Sequence, residues 1–411
     1  MRNSNIMRIL ILYHSNIISH KPGADEHIYS TAKLISRSNE VIAFTWGTGQ
    51  SKTYAEGNLI IINNANDQKV INSERFSELP NFVVDLFSYM GIYPLLFLNR
   101  AKGPSPRAFK KFNFDEFDIA IRVSFDNNRI SKYLSRHSKT KIVELAIVGG
   151  LPHYLENAKS WMNYCSSLST ISLTIFHPLY IIMKRIVFWF YLSSLSSSNI
   201  LVISEHDRKI FQKIRRLNVV YVPPILNFNS VSSTSSEMNN VIFFSGKTMA
   251  STFAAEYIIH IANKLAEIQF SITGFIPDKL KGKNIPPNLT LYGYLETNKF
   301  NELLDKSTIV ILPLISGSGF QTKMAQALSR GKPIITTSVI SDEFPDLLNG
   351  VHVLIEDDPA EFNNKIKNLI DNKELRSKLS RNAIEYYETH LSTELALKLH
   401  LEYLSSIVNG N

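Results

Sequence analysis

Short apolar runs separated by amphipathic stretches recur along the whole chain. In the first half "RILILYH" reads as a buried strand, and Asp25 to Arg37 has the spacing of a helix. "EVIAFTW", "NLIIIN", "DIAIRVS", "TKIVELAI" and "NILVIS" follow as strands, the last leading into a helix over Glu205 to Ile214. The polar tract "NFNSVSSTSSEMNN", Asn227 to Asn240, cannot bury a core and reads as a linker. The pattern then restarts. "VIFFSG", "QFSITG", "LTLYGYL", "TIVILPL", "PIITTS" and "VHVLIE" are strands. Helices are predicted over Phe253 to Ala266, over Thr297 to Lys306, around Gln326, and in two segments from Pro359 to Val408. Strand alternating with helix predicts an α/β protein with parallel sheets, here as two doubly wound domains.

A length of 411 residues suits two domains, and 44% hydrophobic with 19% charged residues marks a globular chain. The single Cys165 cannot form an internal disulfide, which fits a reducing compartment. The start "MRNSNIMRILILYHS" has only a short apolar core and no small-residue cleavage site, so no signal peptide is predicted, and Met7 is an alternative start.

The net charge of +8 is uneven: residues 1–215 carry 26 Lys/Arg against 16 Asp/Glu, residues 216–411 only 18 against 20. A basic first half suits nucleic acid, an anionic membrane or a phosphorylated acceptor. No nucleic-acid-binding motif accompanies the charge, so nucleic acid is set aside. Two apolar segments with basic residues, Tyr89 to Lys111 and Ile175 to Leu195, read either as core or as interfacial contacts with a membrane. Lys184 and Arg185 interrupt the second, which argues against a transmembrane helix.

Candidate chemistry concentrates in "LPLISGSGFQTKMAQALSRGKPIITTS", Leu312 to Ser338. A strand stops at the loop Ile315 to Phe320, and a helix opens after it. Backbone N–H groups and the positive end of the helix dipole there suit an anion, and the glycines let the backbone approach it. A tight turn without a ligand is the competing reading. "VIFFSG" brings Gly246 and Lys247 to the same sheet edge, and "SITGF" and "LYGYL" offer walls for a nucleobase, with Tyr292 and Tyr294 equally readable as structural aromatics.

These residues resemble the nucleotide-sugar-binding domain of GT-B glycosyltransferases, in particular the retaining enzymes of glycosyltransferase family 4. The matching positions are Gly246, Lys247, Gly317, Ser318, Gly319, Lys323, Ala327, Leu328, Gly331 and Pro333. In the first half "KPGADEHIYSTAKLISRSNEVIAF" resembles the family's first loop and helix, with Gly23 on the donor-phosphate side, and "ILVISEHDRKIF" resembles its segment before the linker. Two departures stand out. The family's two glutamates, eight residues apart, align with Ser318 and Gln326. No carboxylate occurs between Ile309 and Ser341, so Gln326 would be an uncharged ribose anchor.

The resemblance implies two doubly wound Rossmann-like domains facing a central cleft. Residues 1–226 would bind acceptor, 227–240 link, 241–390 bind donor, and 391–411 form a helix crossing back. Leu397, Leu401, Leu404 and Val408 are spaced for one face of that helix. The implied donor site comprises Gly23, Gly246, Lys247, Tyr294, Leu295, Gly317, Ser318, Gly319, Phe320, Gln321, Lys323 and Gln326, with Lys247 and Gln326 bearing on catalysis. His14, Glu144 and His153 are the acceptor-side candidates. The implied reaction moves a sugar from a nucleoside diphosphate to a glycan or lipid-linked acceptor with retention. Neither metal nor other cofactor is expected, because Lys247 and the helix terminus stabilise the departing diphosphate. The expected location is cytoplasmic, peripheral on the membrane face. A GT-B sugar-nucleotide epimerase and a non-catalytic GT-B subunit are the alternatives.

Overall fold

Strand β1 (Arg8–Tyr13) is buried from Ile9 onward and lies between two parallel neighbours, as a continuous apolar run dictates. The computed structural model describes residues 6–13, 17, 24–45, 51–63, 113–123, 133–134, 136, 138–146, 153–154, 161, 192, 195, 197–226, 228, 239–246, 249–275, 280, 284–317 and 319–410. The chain divides into two units. Met1–Leu151, Phe176–Asn227 and Ser392–Asn411 make the first; Pro152–Ile175 and Phe228–Leu391 make the second.

The sheet of the first unit contains β1, β2 (Glu40–Thr45), β3 (Lys52–Glu56), β4 (Leu59–Asn63), β5 (Ile119–Val123), β6 (Lys141–Ala146), β8 (Asn199–Val202) and β9 (Asn218–Tyr221). Their order is β3-β4-β2-β1-β5-β6-β8-β9, all parallel except the edge hairpin of β3 with β4. Gly57, at φ 58°, supplies the left-handed residue of that hairpin turn. Helix α1 (Ala24–Ile35) follows β1, and α2 (Glu205–Phe211) follows β8, capped by Ser204 Oγ accepting from the Asp207 N–H. Half-buried Leu192 and Leu195 pack against Ala146, Ile200, Val202 and Phe211. The rest of the Ile175 to Leu195 segment, and all of Tyr89 to Lys111, lie outside the described residues. Among the described residues no helix is long and apolar enough to cross a membrane.

The last helix, α9 (Thr393–Asn409), belongs to the first unit, and Lys141 Nζ donates to Ile407 O and Val408 O at its end. Its buried stripe is Ala396, His400, Tyr403, Leu404 and Ile407. This corrects the expected face: Leu397, Leu401 and Val408 are only half-buried, because the true stripe includes a histidine and a tyrosine that an apolar count passes over. His400 lies close enough to His27 of α1 to depress it further, and burial pushes both imidazoles down to about 4.

The second unit contains β10 (Asn240–Ser245), β11 (Gln269–Gly274), β12 (Leu289–Gly293), β13 (Ile309–Leu312), β15 (Ile334–Thr336) and β16 (Leu354–Ile355). They form one parallel sheet in the order β12-β11-β10-β13-β15-β16. Helices α3 (Met249–Lys264), α4 (Thr297–Lys306), α5 (Thr322–Ser329), α6 (Ser338–Ser341), α7 (Pro359–Asp371) and α8 (Lys373–His390) accompany it. Two short strands, β7 (His153–Tyr154) and β14 (Ser316–Gly317), pair antiparallel beside this sheet. Successive strands run outward in opposite directions from the β10–β13 pair. Such a reversal opens a crevice at the carboxyl ends of the two strands.

Candidate functional site

The crevice is bounded by the ends of β10, β11, β12 and β13. Gly274, at φ 94°, ends β11 so close to β10 that a Cβ there would stand 2.3 Å from Ser245 O. The Phe275 N–H donates to that same carbonyl, and Thr273 Oγ1 donates to Gly293 O at 3.0 Å. Three strand ends are thereby fastened at one level. Past β12, Tyr292 and Tyr294 are 43% and 69% exposed, free faces on which a planar ring could stack, and Leu295 is half-buried beside them.

The loop after β13 carries the glycines. A Cβ on Gly317 would stand 3.1 Å from Val339 Cγ1, and Gly319 sits at φ 70°, so neither position suits a larger residue. Phe320 packs on Phe344 at 5.0 Å. Gln321 precedes α5 without capping it; its Nε2 donates back to Gly319 O at 3.4 Å. The first turn of α5 therefore has no side-chain cap and no acidic residue.

Into that turn the chain places a cation. Lys323 is half-buried, 5.6 Å over the Phe243 ring, and its Nζ donates to Ser251 Oγ at 3.4 Å. The same nitrogen lies 3.1 Å from the Cβ position of Gly246. Among the described residues no carboxylate pairs with it, and burial pushes its ammonium down to about 8. A lysine at the positive end of a helix dipole, desolvated and without a counter-charge, is electrostatically unfavourable alone. A bound anion reverses both penalties. Gln326 follows one turn later on the same stripe, half-buried, its side-chain amide without a hydrogen bond among the described residues.

The structure therefore brings Gly246 and Lys323 together, with Gly317, Gly319, Phe320, Gln321 and Gln326 in the loop and helix that follow β13, and Tyr294 and Leu295 just past β12 of the same sheet. His14, Gly23, Lys247 and Ser318 lie outside the described residues. Glu144 sits in β6 opposite Arg122 of β5, and the two form a buried ion pair. Its carboxylate is thus committed to a cation inside the first sheet. His153 falls in β7, where its backbone registers with Gly317. Ser251 was not foreseen, since a serine in the first turns of a helix carries no signal by itself. Lys332, in the same sequence motif as Lys323, has a different task. Fully buried, its Nζ donates to Asp305 O at 2.8 Å and Ser307 O at 2.9 Å, satisfying carbonyls where α4 ends.

Residues 239–372 match the family model described as glycosyl transferases group 1. The fold is similar to that of the α,α-trehalose 6-phosphate synthase of Burkholderia multivorans, with TM-score 0.65, 8% identity, and 98% of this chain and 100% of that chain covered. Sucrose-phosphate synthase of Thermosynechococcus elongatus aligns with TM-score 0.63 at 10% identity over 98% of this chain and all of that one. HepE of Anabaena, solved in complex with UDP and glucose, aligns with TM-score 0.57 at 12% identity over 97% and 100%. A search of curated proteins finds no match. The two α/β units are thus those of the GT-B fold, and within the second, residues 239–372 match the group 1 glycosyltransferase model.

Proposed function

We propose that this chain, a transferase whose residues 239–372 form a group 1 glycosyltransferase domain, moves a sugar from a nucleoside diphosphate to a glycan or lipid-linked acceptor with retention. One observation carries the reading: Lys323, desolvated and without an acid partner among the described residues, in the uncapped first turn of α5 beneath a glycine loop. A diphosphate matches that turn in charge and size. Lys323 and the α5 amides would hold it, and Gly246, Gly317 and Gly319 leave room for it to approach. As the bond to the anomeric carbon breaks, negative charge grows on the diphosphate, and a preplaced cation stabilises that state more than the ground state. Lys323 supplies positive charge that a divalent ion would otherwise provide, so the reaction is written without a metal. Gln326 accepts a ribose hydroxyl, and Tyr294 with Leu295 borders the base.

UDP is the first nucleotide to test, since HepE was solved with it. The basic first half further supports a cytoplasmic enzyme resting on an anionic membrane surface, where its acceptor would lie. The experiment is incubation with a panel of sugar nucleotides, followed by mass spectrometry. Transfer or slow hydrolysis supports the reading, an isomerised sugar points to an epimerase, and no turnover by a nucleotide-binding protein points to a non-catalytic subunit. Gln326→Ala should weaken nucleotide binding several-fold, the loss of one neutral hydrogen bond of about 0.5–1.5 kcal/mol. Gln326→Glu should recover or exceed the wild-type affinity through a charge-assisted bond. Unchanged affinity in both variants would remove Gln326 from the site.

A further inference from the structure

The glycine loop is gripped from a part of the chain that precedes the linker. Strand β7 pairs with β14 so that His153 registers with Gly317 and Tyr154 with Ser316. A few residues later Trp161, buried, enters an aromatic box of the second unit, 4.7 Å from Tyr257 of α3 and 5.4 Å from Phe362 of α7. Its indole is also used as a donor: Nε1–H reaches Asp357 O at 2.6 Å.

Asp357 leads back to the loop. Its Oδ1 accepts from the Ser338 N–H at 2.8 Å, fixing the first turn of α6. Thr337, at the head of α6, donates through Oγ1 to Leu314 O at 2.6 Å, where the glycine loop begins. Val339 and Ile340 of α6 stand 3.1 Å and 3.5 Å from the Cβ position of Gly317. A continuous series of contacts results: Trp161 to Asp357, Asp357 to α6, α6 to Leu314 and Gly317, and Gly317 to His153. The loop is held on one side by α6 and on the other by β7. Trp161 stands at the head of the α6 route, as a donor to Asp357, and follows β7 closely in sequence.

We infer that Trp161 is a positioning residue for the glycine loop, setting the backbone amides of residues 314–317 and 319–321 for a nucleoside diphosphate. This rests on the donor-site reading above and adds to it a residue far from the loop in sequence. Trp161 touches no reacting atom; it acts through Asp357, α6 and β7. A rigid loop matters because an anion site built from backbone amides binds only when they converge, and a loose one must be ordered by the ligand.

The test compares Trp161→Phe, which keeps a ring in the box and deletes the donor, with Phe362→Leu, which trims the box and leaves the Nε1–Asp357 bond. Full-length proteins are followed by hydrogen exchange of residues 314–321, calorimetric titration with UDP and GDP, and thermal melting. Trp161→Phe should speed loop exchange at least fivefold and weaken nucleotide binding three- to tenfold. Phe362→Leu should lower the melting temperature as much or more while leaving loop exchange near wild type. Unchanged loop exchange in Trp161→Phe, or an equal rise in Phe362→Leu, overturns the positioning role and leaves Trp161 a core residue. Faster exchange with unchanged affinity overturns the link to the nucleotide. If wild type binds neither UDP nor GDP, the donor reading fails, while the exchange comparison still decides whether Trp161 orders the loop.

Discussion

Lys323 Nζ stands 3.1 Å from the point where a side chain on Gly246 would begin. An alanine there must push the lysine's flexible end aside, and nothing else in its surroundings need move. Gly246→Ala should therefore melt within about 1 kcal/mol of wild type, in the usual range for a mild local substitution. Its affinity for UDP should fall several-fold. Calorimetry beside thermal melts checks this; a large loss of stability with affinity intact would place Gly246 in the core rather than the site.

The ammonium of Lys323 is lowered to about 8 by burial, and an anion needs it protonated. Nucleotide affinity should hold near pH 7 and fall as pH rises through 8, approaching tenfold per unit above that value. Arginine stays protonated throughout this range, so Lys323→Arg should lose the pH dependence even if its wider head binds less well. Lys323→Ala should bind weakly at every pH. A wild-type profile flat from pH 7 to 9.5 would exclude Lys323 as the anion's partner.

Lys332 shares the motif and is likewise lowered to about 8 by burial, yet its amine faces two carbonyls. Lys332→Met keeps the stem and strands Asp305 O and Ser307 O. The expected cost is about 2–4 kcal/mol in urea unfolding, from two buried acceptors left unpaired. Nucleotide affinity, measured well below the unfolding transition, should stay within twofold of wild type. A variant of normal stability and poor affinity would reverse the assignments of the two lysines.

His27 and His400 are both lowered from 6.5 to about 4 in the fold. Between those values the unfolded chain binds protons that the folded chain refuses, so stability is intact above pH 6.5 and lost as pH falls toward 4. The slope should approach about 1.4 kcal/mol per pH unit for each histidine. His400→Leu should roughly halve the slope attributable to the pair. Denaturant melts at pH 7, 6, 5 and 4.5 measure it, and equal slopes in wild type and variant would show that other groups govern acid unfolding.

Central strands such as β1 and β13 were legible because burial on both faces writes unbroken apolar runs, as in Ile9 to Leu12 and Ile309 to Leu312. Strand β3 was not. Lys52 to Glu56 is an almost fully exposed edge, held by backbone pairing with β4, and backbone pairing leaves no mark on side-chain choice. The glycine loop stood out in the sequence itself, and Lys323 came with the family resemblance. What could not be read is which lysine caps a helix and which faces the crevice, since Lys323 and Lys332 differ only in what folding sets against them. Trp161 was silent for the same reason: its partners, Tyr257, Asp357 and Phe362, lie roughly 100 to 200 positions downstream.

The return of α9 to the first unit orders events on the ribosome. Lys141 finishes its hydrogen bonds only with Ile407 and Val408, and buried His27 lies beside His400, so part of the first-made unit is completed by residues translated after the whole second unit. Until then a nascent first unit exposes the surface that Ala396, Tyr403, Leu404 and Ile407 will cover, while the second can close without waiting. The unit whose synthesis begins first is the one whose last buried residues are made last.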